Sequence, residues 1–198
     1  MAPDMRWVFR VLPVVLMVAL VTLVLMANSL PERRTLQRSV VIEAPVADVY
    51  RRVGYIRGWE GWYVPPQVGR FEGPEHGAGG TLIVDDEESN EVRRLVLTET
   101  SSPGFVWYEM PDKDQNPYDI RGGFALKATK DGQTLVTSSQ ELISRTSDDW
   151  MARTGERWFL YGFADTLVGT VLERELHNLK GAVEGLPPPG SSTSTAAQ

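Results

Sequence analysis

The residues able to carry acid–base or nucleophilic chemistry are few and scattered along this chain. Its 198 residues include only two histidines, His76 and His177, and no cysteine. Without cysteine there is no thiolate nucleophile, disulfide or cysteine-based metal site. Neither histidine accompanies a GxSxG or HExxH pattern, the sequence settings of common serine and zinc hydrolases. We therefore predict no catalytic residue, no metal site and no cofactor.

Two further segments imitate ligand-binding motifs without completing them. Residues 73–80 (GPEHGAGG) lack both a following Lys-Ser/Thr pair and the GxGxxG spacing, which excludes a phosphate cradle. Residues 112–117 (DKDQNP) begin like a calcium loop. Pro117, however, stands where glycine is required, and Gly123 stands where the bidentate glutamate should be. We interpret both segments as connections between strands.

The charge balance argues against nucleic acid as a partner. The chain has 26 acidic and 20 basic residues, a formal net charge of −6 at neutral pH. Proteins that bind phosphate backbones need clustered lysine and arginine, which an acidic domain does not supply. Hydrophobic residues make up 42% of the sequence, enough for a packed core. These values predict a globular domain that does not bind nucleic acid.

Aromatic side chains are the better candidates for a binding surface. Trp59 and Trp62 lie three residues apart in a short turn before two prolines. They either line the mouth of a cavity or wedge small helices against a sheet, since aromatic pairs at this spacing also occur in cores. On the strand 104–110 we predict that Trp107 faces inward, because Tyr108 would more easily keep its hydroxyl in water. Phe124 completes this aromatic set.

The elements that must position these residues follow from hydrophobic periodicity. Short runs with strand character alternate with turn residues, and the short links indicate an antiparallel meander. From residue 148 to 184 the period becomes helical, with a first turn that glycine weakens. Leu160, Phe163, Leu167 and Val171 form one row of that helix, which is core unless the sheet stands off from it. The predicted strands are residues 35–43, 68–72, 81–85, 91–100, 104–110, 120–128 and 133–143.

The N-terminal segment predicts a membrane helix. Residues 11–26 carry no charge, and extension to Leu30 gives about 30 Å of helix, the thickness of a hydrocarbon core. A cleaved signal peptide is the alternative, but the apolar run is longer than the usual signal core, which favours an uncleaved single-pass anchor. Arginines flank both ends, so the positive-inside rule gives no orientation. We favour an extracytoplasmic domain because the segment also resembles an export signal.

Residues 1–34 are thus predicted as an N-terminal tail and anchor, 35–186 as one α+β domain, and 187–198 as a disordered Pro/Ser/Thr tail. A curved antiparallel sheet must bury one face, and the long C-terminal helix is the element large enough to cover it.

The domain resembles the START-like (SRPBCC) superfamily, in its polyketide cyclase/dehydrase and lipid-transport branch. The residues that carry the resemblance are SVVIEAPVADVYRRVGYIRGWEGW (39–62), GAGGT (77–81), the last strand and the closing helix. The resemblance implies a helix-grip fold, in which a curved sheet wraps a long C-terminal helix. It also implies a cavity between the two for lipids or other apolar molecules. The family has no invariant catalytic set.

Three functions therefore stay open. The first is a membrane-tethered module that holds a lipid or other hydrophobic small molecule. Its ligand-binding residues would be Trp59, Trp62, Trp107, Phe124, Leu160, Phe163, Leu167 and Val171. The second is a cyclase or dehydratase that uses the same cavity, with Thr137, Ser139 or Gln140 pointing inward. The third is a protein-interaction domain, for which the sequence identifies no partner.

Overall fold

The structure is a computed structural model that describes residues 6–64, 69–86, 91–110, 117–145 and 149–185. Helix α1 spans Arg6–Ser29 and strand β1 spans Arg33–Ile42. Helix α2 (Val46–Val53) and a 3-10 turn (Ile56–Trp59) follow. The remaining strands are β2 (Gly69–Glu72), β3 (Thr81–Asp86), β4 (Glu91–Ser101), β5 (Phe105–Met110), β6 (Tyr118–Ala128) and β7 (Thr134–Ser144). The chain then forms α3 (Trp150–Trp158), a π-helical turn (Phe159–Phe163) and α4 (Ala164–Glu184).

The strands form one seven-stranded antiparallel sheet in the order β1-β7-β6-β5-β4-β3-β2. Strands β2 to β7 are a meander, and β1 closes the sheet by pairing with β7 along its whole length. The predicted α+β class, the curved antiparallel sheet and the long C-terminal helix are confirmed. Strand boundaries differ from the predicted ones by one or two residues. The predicted tail 187–198 and most of the segment 112–117 lie outside the described residues.

Helix α4 packs over the β1 edge of the sheet. Gly169 makes this approach possible, because a Cβ there would lie 2.4 Å from Nη2 of Arg38 on β1. The Arg38 guanidinium donates to Glu173 at 2.7 Å and to Asp165 at 3.3 Å, so it ties two turns of the helix to the strand. Leu172 and Leu176 are buried beneath the same helix. The helix is thereby fixed on one side of the sheet.

Two buried hydrophobic clusters hold this arrangement together. The larger gathers α2, the 3-10 turn, the middle of the sheet and the end of α4, with Trp59, Leu97 and Phe124 among its fully buried members. The smaller lies under the π-helical turn and contains Leu36, Tyr118, Leu142, Leu160, Ala164 and Leu172. The interior is therefore packed at both ends of α4.

The π-helical turn joins α3 to α4. A π turn replaces the usual i→i−4 hydrogen bonds with wider ones and leaves carbonyls free for other partners. Arg34 of β1 donates a hydrogen bond to the carbonyl of Leu160, and its guanidinium lies 5.3 Å from the Tyr161 ring. The Tyr161 hydroxyl donates to the Arg33 carbonyl at 3.0 Å. Strand β1 therefore supports the turn from below.

Helix α1 docks onto α3 instead of standing apart from the domain. Ala27 is fully buried, and the Asn28 amide lies 3.4 Å from the Thr154 hydroxyl. The buried Arg157 guanidinium donates to the Asn28 carbonyl and to the Glu32 carboxylate, both at 2.5 Å. Within α1, Val11–Ser29 has a mean hydropathy of 2.5 and is long and apolar enough to cross a membrane. Its C-terminal end is thus joined to the domain by side-chain contacts.

We expect Arg157→Met to release α1 from α3. The variant keeps most of the side-chain volume but loses the two hydrogen bonds that join α3 to Asn28 and Glu32, which is worth about 1–3 kcal/mol. Amide hydrogen exchange of the full chain in detergent micelles should then be about tenfold faster over residues 27–33. Arg51→Met, which removes an exposed helical ion pair with Asp48, is the control and should leave exchange there unchanged. Unchanged exchange in Arg157→Met would show that the contact does not hold α1.

Candidate functional site

A cavity of about 500 Å³ lies between α4 and the β3–β5 half of the sheet. Helix α4 forms one wall of this cavity, and its close packing on the sheet is at β1. Most of its wall is hydrophobic, and the charged and amide side chains come from α4, β7 and β4. The lining residues are Trp62, Tyr63, Val64, Leu82, Val84, Arg94, Leu95, Met110, Gln140, Leu167, Val168, Val171, Arg174, Glu175 and Asn178.

Trp62 closes one end of the cavity from the turn that follows the 3-10 helix. Its indole N–H donates to the Gly58 carbonyl at 2.8 Å, which fixes the ring. The Asn178 amide of α4 donates to the Trp62 carbonyl at 3.2 Å and so joins the turn to the helix. Tyr63 meets the Trp62 ring edge-on at 5.6 Å. This end of the cavity is a braced aromatic wall.

Trp59 does not line the cavity. It is fully buried, its indole donates to the Val53 carbonyl at 2.9 Å, and its ring contacts four other aromatic rings. Edge-to-face neighbours within 6 Å, Tyr108 and Phe124 among them, make it the centre of the larger core cluster. The sequence left two roles open for this tryptophan, lining a cavity or packing the small helices against the sheet. The structure shows the second.

Gln140 and Glu175 reach the cavity from two different elements. Gln140 of β7 is 9% exposed. Glu175 of α4 faces it from the helix, and its Oε2 is shielded from water and unpaired. Gln140 thus points inward, as considered for this strand, whereas Thr137 pairs with Ser39 on the exposed face. The site joins an apolar wall to two amides, one carboxyl and the guanidinium groups of Arg94 and Arg174.

Burial raises the pKa of Glu175 to about 7, and the neighbouring Arg174 opposes the rise. A carboxyl in apolar surroundings loses the hydration that its charged form needs, so the protonated form is favoured. Near neutral pH this group is therefore partly protonated and is able to donate as well as accept a hydrogen bond.

Tyr108 lies directly behind the cavity wall on β5. It is fully buried with an unpaired hydroxyl, and burial raises the pKa of its phenol well above the ordinary value, with smaller contributions from Tyr63 and Glu175. Gly122 on β6 provides the space, since a Cβ there would lie 2.1 Å from Cζ of the Tyr108 ring. Gln140 pairs with Gly122 on the next strand. Tyr108, Gly122 and Gln140 thus form one cross-strand row.

The structure brings together only part of the predicted ligand-binding set. Trp62, Leu167 and Val171 line the cavity. Phe124 and Leu160 are buried in the two core clusters instead.

The prediction that Trp107 faces inward is wrong. On β5 the fully buried residues are Val106 and Tyr108, and Trp107 lies on the opposite face of the sheet. There it borders a shallow groove of about 290 Å³ with Thr98, Glu99, Glu109, Arg121 and Glu141. Each ring lies over a glycine of β6, since Gly122 makes room for Tyr108 on the inner face and Gly123 makes room for Trp107 on the outer face. The register of β5 in the sheet therefore decides which ring faces inward.

The prediction that Phe163 meets the cavity or the core is also wrong. Its side chain is 61% exposed at the end of the π-helical turn. The wider turn rotates the residues that follow Leu160, so the row Leu160, Phe163, Leu167 and Val171 does not share one buried face. Leu160 is fully buried, whereas Leu167 is 56% exposed at the cavity mouth.

Glu175 was not among the predicted site residues, although the sequence contains a signal for it. It lies seven residues after Val168 and four before Leu179, positions that share a face of a regular helix. A charged residue on the apolar stripe of a core-facing helix is a candidate for function, because burying it costs free energy. Among the described residues, no group of three or more histidines and carboxylates could hold a metal ion.

Residues 33–184 match a family model described as polyketide cyclase/dehydrase and lipid transport. The chain belongs to this family. The match begins at the first residue of β1 and ends with α4, so it includes the whole sheet and the helix that covers it. A comparison with curated proteins gave no match.

Solved structures confirm the helix-grip fold that the family implies. The di-domain aromatase/cyclase BexL from the BE-7585A biosynthetic pathway is 17% identical with a TM-score of 0.58, over 92% of this chain and 61% of that one. The ZhuI aromatase/cyclase from Streptomyces sp. R1128 is 12% identical with a TM-score of 0.57, over 77% and 94%. The protein Ara h 8.0201 is 10% identical with a TM-score of 0.54, over 77% and 99%. At these identities the likeness concerns the fold alone.

We expect Glu175 to make the stability of the domain fall as the pH rises from about 4.5 to about 7. Its folded-state pKa lies above the unfolded value, so its contribution is complete below the unfolded pKa and lost as the pH passes the folded one. Relative to Glu175→Gln, the wild type should lose up to about 3 kcal/mol across this range. The other ionisable groups that face Glu175 are Tyr63, Arg94, Tyr108 and Arg174.

Denaturant unfolding of the full chain in detergent micelles at several pH values measures this slope. Asp131→Asn, in the exposed turn between β6 and β7, is the control and should retain the wild-type slope. A wild type and a Glu175→Gln variant with parallel pH profiles would mean that the carboxyl is hydrated.

Proposed function

We propose that this protein is a membrane-tethered binding module that holds a lipid or another hydrophobic small molecule between α4 and the sheet. The observation that carries the proposal is the cavity of about 500 Å³ with a largely apolar wall. Binding sites for small molecules commonly have volumes of about 300–1,000 Å³ and apolar linings with a few polar groups. The ligand-contacting residues would be Trp62, Leu82, Leu95, Met110, Leu167, Val168 and Val171.

Apolar side chains that are partly exposed at the mouth of the cavity favour the proposal that a ligand binds there. Leu167 is 56% exposed and Val171 is 37% exposed, although both border the cavity. A hydrophobic molecule that buried the part still exposed would be favoured by roughly 0.5–1.5 kcal/mol for each side chain. The family description, which includes lipid transport, points the same way. Both observations favour an occupant with extensive apolar surface.

The tether in this proposal is α1. Its apolar stretch Val11–Ser29 would span the bilayer, and its contacts with α3 would hold the domain at the surface. An extracytoplasmic position of the domain remains the prediction made from the sequence.

We expect Val171→Trp to abolish ligand retention without unfolding the domain, because the larger side chain would fill the mouth of the cavity from its own wall. Native mass spectrometry of the full chain released from detergent should find a co-purifying hydrophobic molecule on the wild type and none on the variant. Thr170→Trp, one residue away on the exposed side of α4, is the matched control and should retain the molecule. If the wild type and both variants retained the molecule equally, the ligand would bind outside this cavity.

A second candidate function is a dehydratase or cyclase that uses the same cavity. The observation that favours it is Glu175, a buried carboxyl whose pKa of about 7 suits proton transfer at neutral pH. In a β-hydroxyketone, the Glu175 carboxylate would take the α-proton, and water would leave with that proton as the C–O bond breaks and a C=C bond forms. Gln140 lies on the opposing wall and could bind the ketone oxygen.

We expect, if this second function holds, that a long-chain β-hydroxyketone is converted to its conjugated enone, which absorbs in the ultraviolet. Glu175→Gln should slow the conversion at least about 100-fold, because the proton acceptor is removed while the shape is kept. Asp131→Asn, in the exposed turn between β6 and β7, should retain full activity. A wild type that binds the ketone and leaves it unchanged argues for binding alone.

A further inference from the structure

Helix α3 turns its charged residues inward and its uncharged residues outward. Arg157 is buried, and Nε of Arg153 is shielded from water. Glu156 is half-buried and accepts a hydrogen bond from the Ser144 hydroxyl. A helix that faces water normally has the opposite arrangement, with its charged residues outside. After the N-cap, the exposed residues of α3 are Trp150, Met151, Ala152 and Gly155, none of which carries a charge.

The largest of these exposed side chains belong to the first turn of α3. Trp150 is 52% exposed and Met151 is 62% exposed. Tryptophan combines an apolar ring with an N–H donor, and it is enriched where a membrane meets water. The Asp149 carboxylate caps this end of the helix by accepting from the Met151 amide at 2.8 Å. Because a carboxylate is costly in hydrocarbon, this end of α3 suits the boundary of a bilayer and not its centre.

The contacts between α1 and α3 show that the two helices run in the same direction. The Asn28 amide lies 3.4 Å from the Thr154 hydroxyl and also donates back to the Val24 carbonyl at 2.8 Å. Arg157, about one turn later in α3, donates to the Asn28 carbonyl, which points towards the C-terminal end of α1. Trp150 lies one turn before Thr154, whose hydroxyl donates to its carbonyl at 2.7 Å. Trp150 is therefore on the Val24 side of Asn28.

Burial along α1 gives the same level for the beginning of α3. Ala27 is fully buried and Val24 is half-buried, whereas Leu20 is 62% exposed. The domain thus covers α1 only as far as Val24. At a rise of 1.5 Å per residue, Val24 lies about 7.5 Å before Ser29, the last residue of the apolar stretch that is long enough to cross a membrane. The first turn of α3 lies beside the end of that stretch.

We propose that α3 is a second membrane contact, in which Trp150 and Met151 lie in the interface of the bilayer that α1 crosses. This inference rests on the proposed function, because it requires α1 to be in the membrane. It adds a lipid surface as the partner of α3 and orients the domain on that surface. The turn between β6 and β7 then lies at the far end of β1 from α1, about 30 Å away along the strand.

Single cysteine variants test this placement, because the chain has no cysteine of its own. Leu20→Cys, Met151→Cys and Asp131→Cys each receive one nitroxide label in the full chain in phosphatidylcholine nanodiscs. Electron paramagnetic resonance then compares collisions with oxygen, which concentrates in lipid, and with a nickel chelate, which stays in water. We expect the oxygen-to-nickel ratio at Met151 to be at least about tenfold above that at Asp131, in the β6–β7 turn, and closer to that at Leu20.

A second measurement needs no label, so an apolar nitroxide cannot create the contact that it reports. Emission lost in Trp150→Phe relative to the wild type is the fluorescence of Trp150 itself. We expect brominated phosphatidylcholine to quench roughly half or more of this difference, because the bromine atoms lie in the bilayer. Trp107→Phe, on the outer face of the sheet, is the matched control, and its difference should stay unquenched.

The outcomes separate this inference from the proposed tether. A water-exposed label at Leu20 would show that α1 is not in the bilayer, and it would overturn both. A lipid-exposed label at Leu20 with a label at Met151 as water-exposed as that at Asp131 would leave the tether intact and overturn the contact by α3. Unquenched Trp150 fluorescence beside a lipid-exposed Leu20 label would overturn the contact in the same way.

Discussion

The close packing of α4 on β1 determines the rest of this structure. A sheet of seven strands is about 29 Å wide, whereas a helix with its side chains is about 10 Å across. One helix therefore covers a minority of the sheet wherever it lies. Gly169 and the ion pairs of Arg38 fix it at the β1 edge, and the inner face of β3 to β5 is covered only in part, by the short elements α2 and the 3-10 turn. The cavity is the direct result of that offset.

Aromatic packing keeps the uncovered half from collapsing onto the helix. Trp59 sits at the centre of the larger core cluster, where its ring supports Trp62 and Tyr63. Trp62 is also joined to α4 through its carbonyl and Asn178. The short elements after β1 thus act as a spacer between helix and sheet. A smaller residue at position 59 would leave a void at the centre of this support.

Most of the fold could be predicted from the sequence. Strand and helix periods, the turn residues between them and the resemblance over residues 39–62 gave the right elements in the right order. Which face of a strand or helix each side chain lies on was harder to predict. For β5, apolar residues alternate equally on both faces, and both aromatic rings pair with a glycine of β6, so only the strand register shows which one faces inward. For Phe163, an ideal helical period fails because the π turn is a local change that hydrophobicity does not encode. The anchor and the terminal tail remain predictions.

The candidate site was harder to predict than the fold because its members come from four separate regions. The aromatic residue Trp62 could be named from its type, and Leu167 and Val171 from their spacing. Glu175 could be found only by placing it on the helix face, and its unpaired state depends on the distance between α4 and β7. A cavity is a space that side chains do not fill. Its presence depends on how the surrounding helices and strands pack, which the sequence pattern does not give directly.

The joint between α1 and α3 has a consequence for how far the cavity is able to reach. Only residues 30–32 separate α1 from β1, and Arg157 clamps that junction to the domain. A flexible linker would let a binding domain sweep a large volume, at the cost of a lower effective concentration at any one point. Here the connection is short, so an α1 inserted in a membrane, as proposed, would keep the cavity at one height above that surface. Such a domain would exchange its cargo with that surface or with a partner that comes to it, and it would not travel to distant ones.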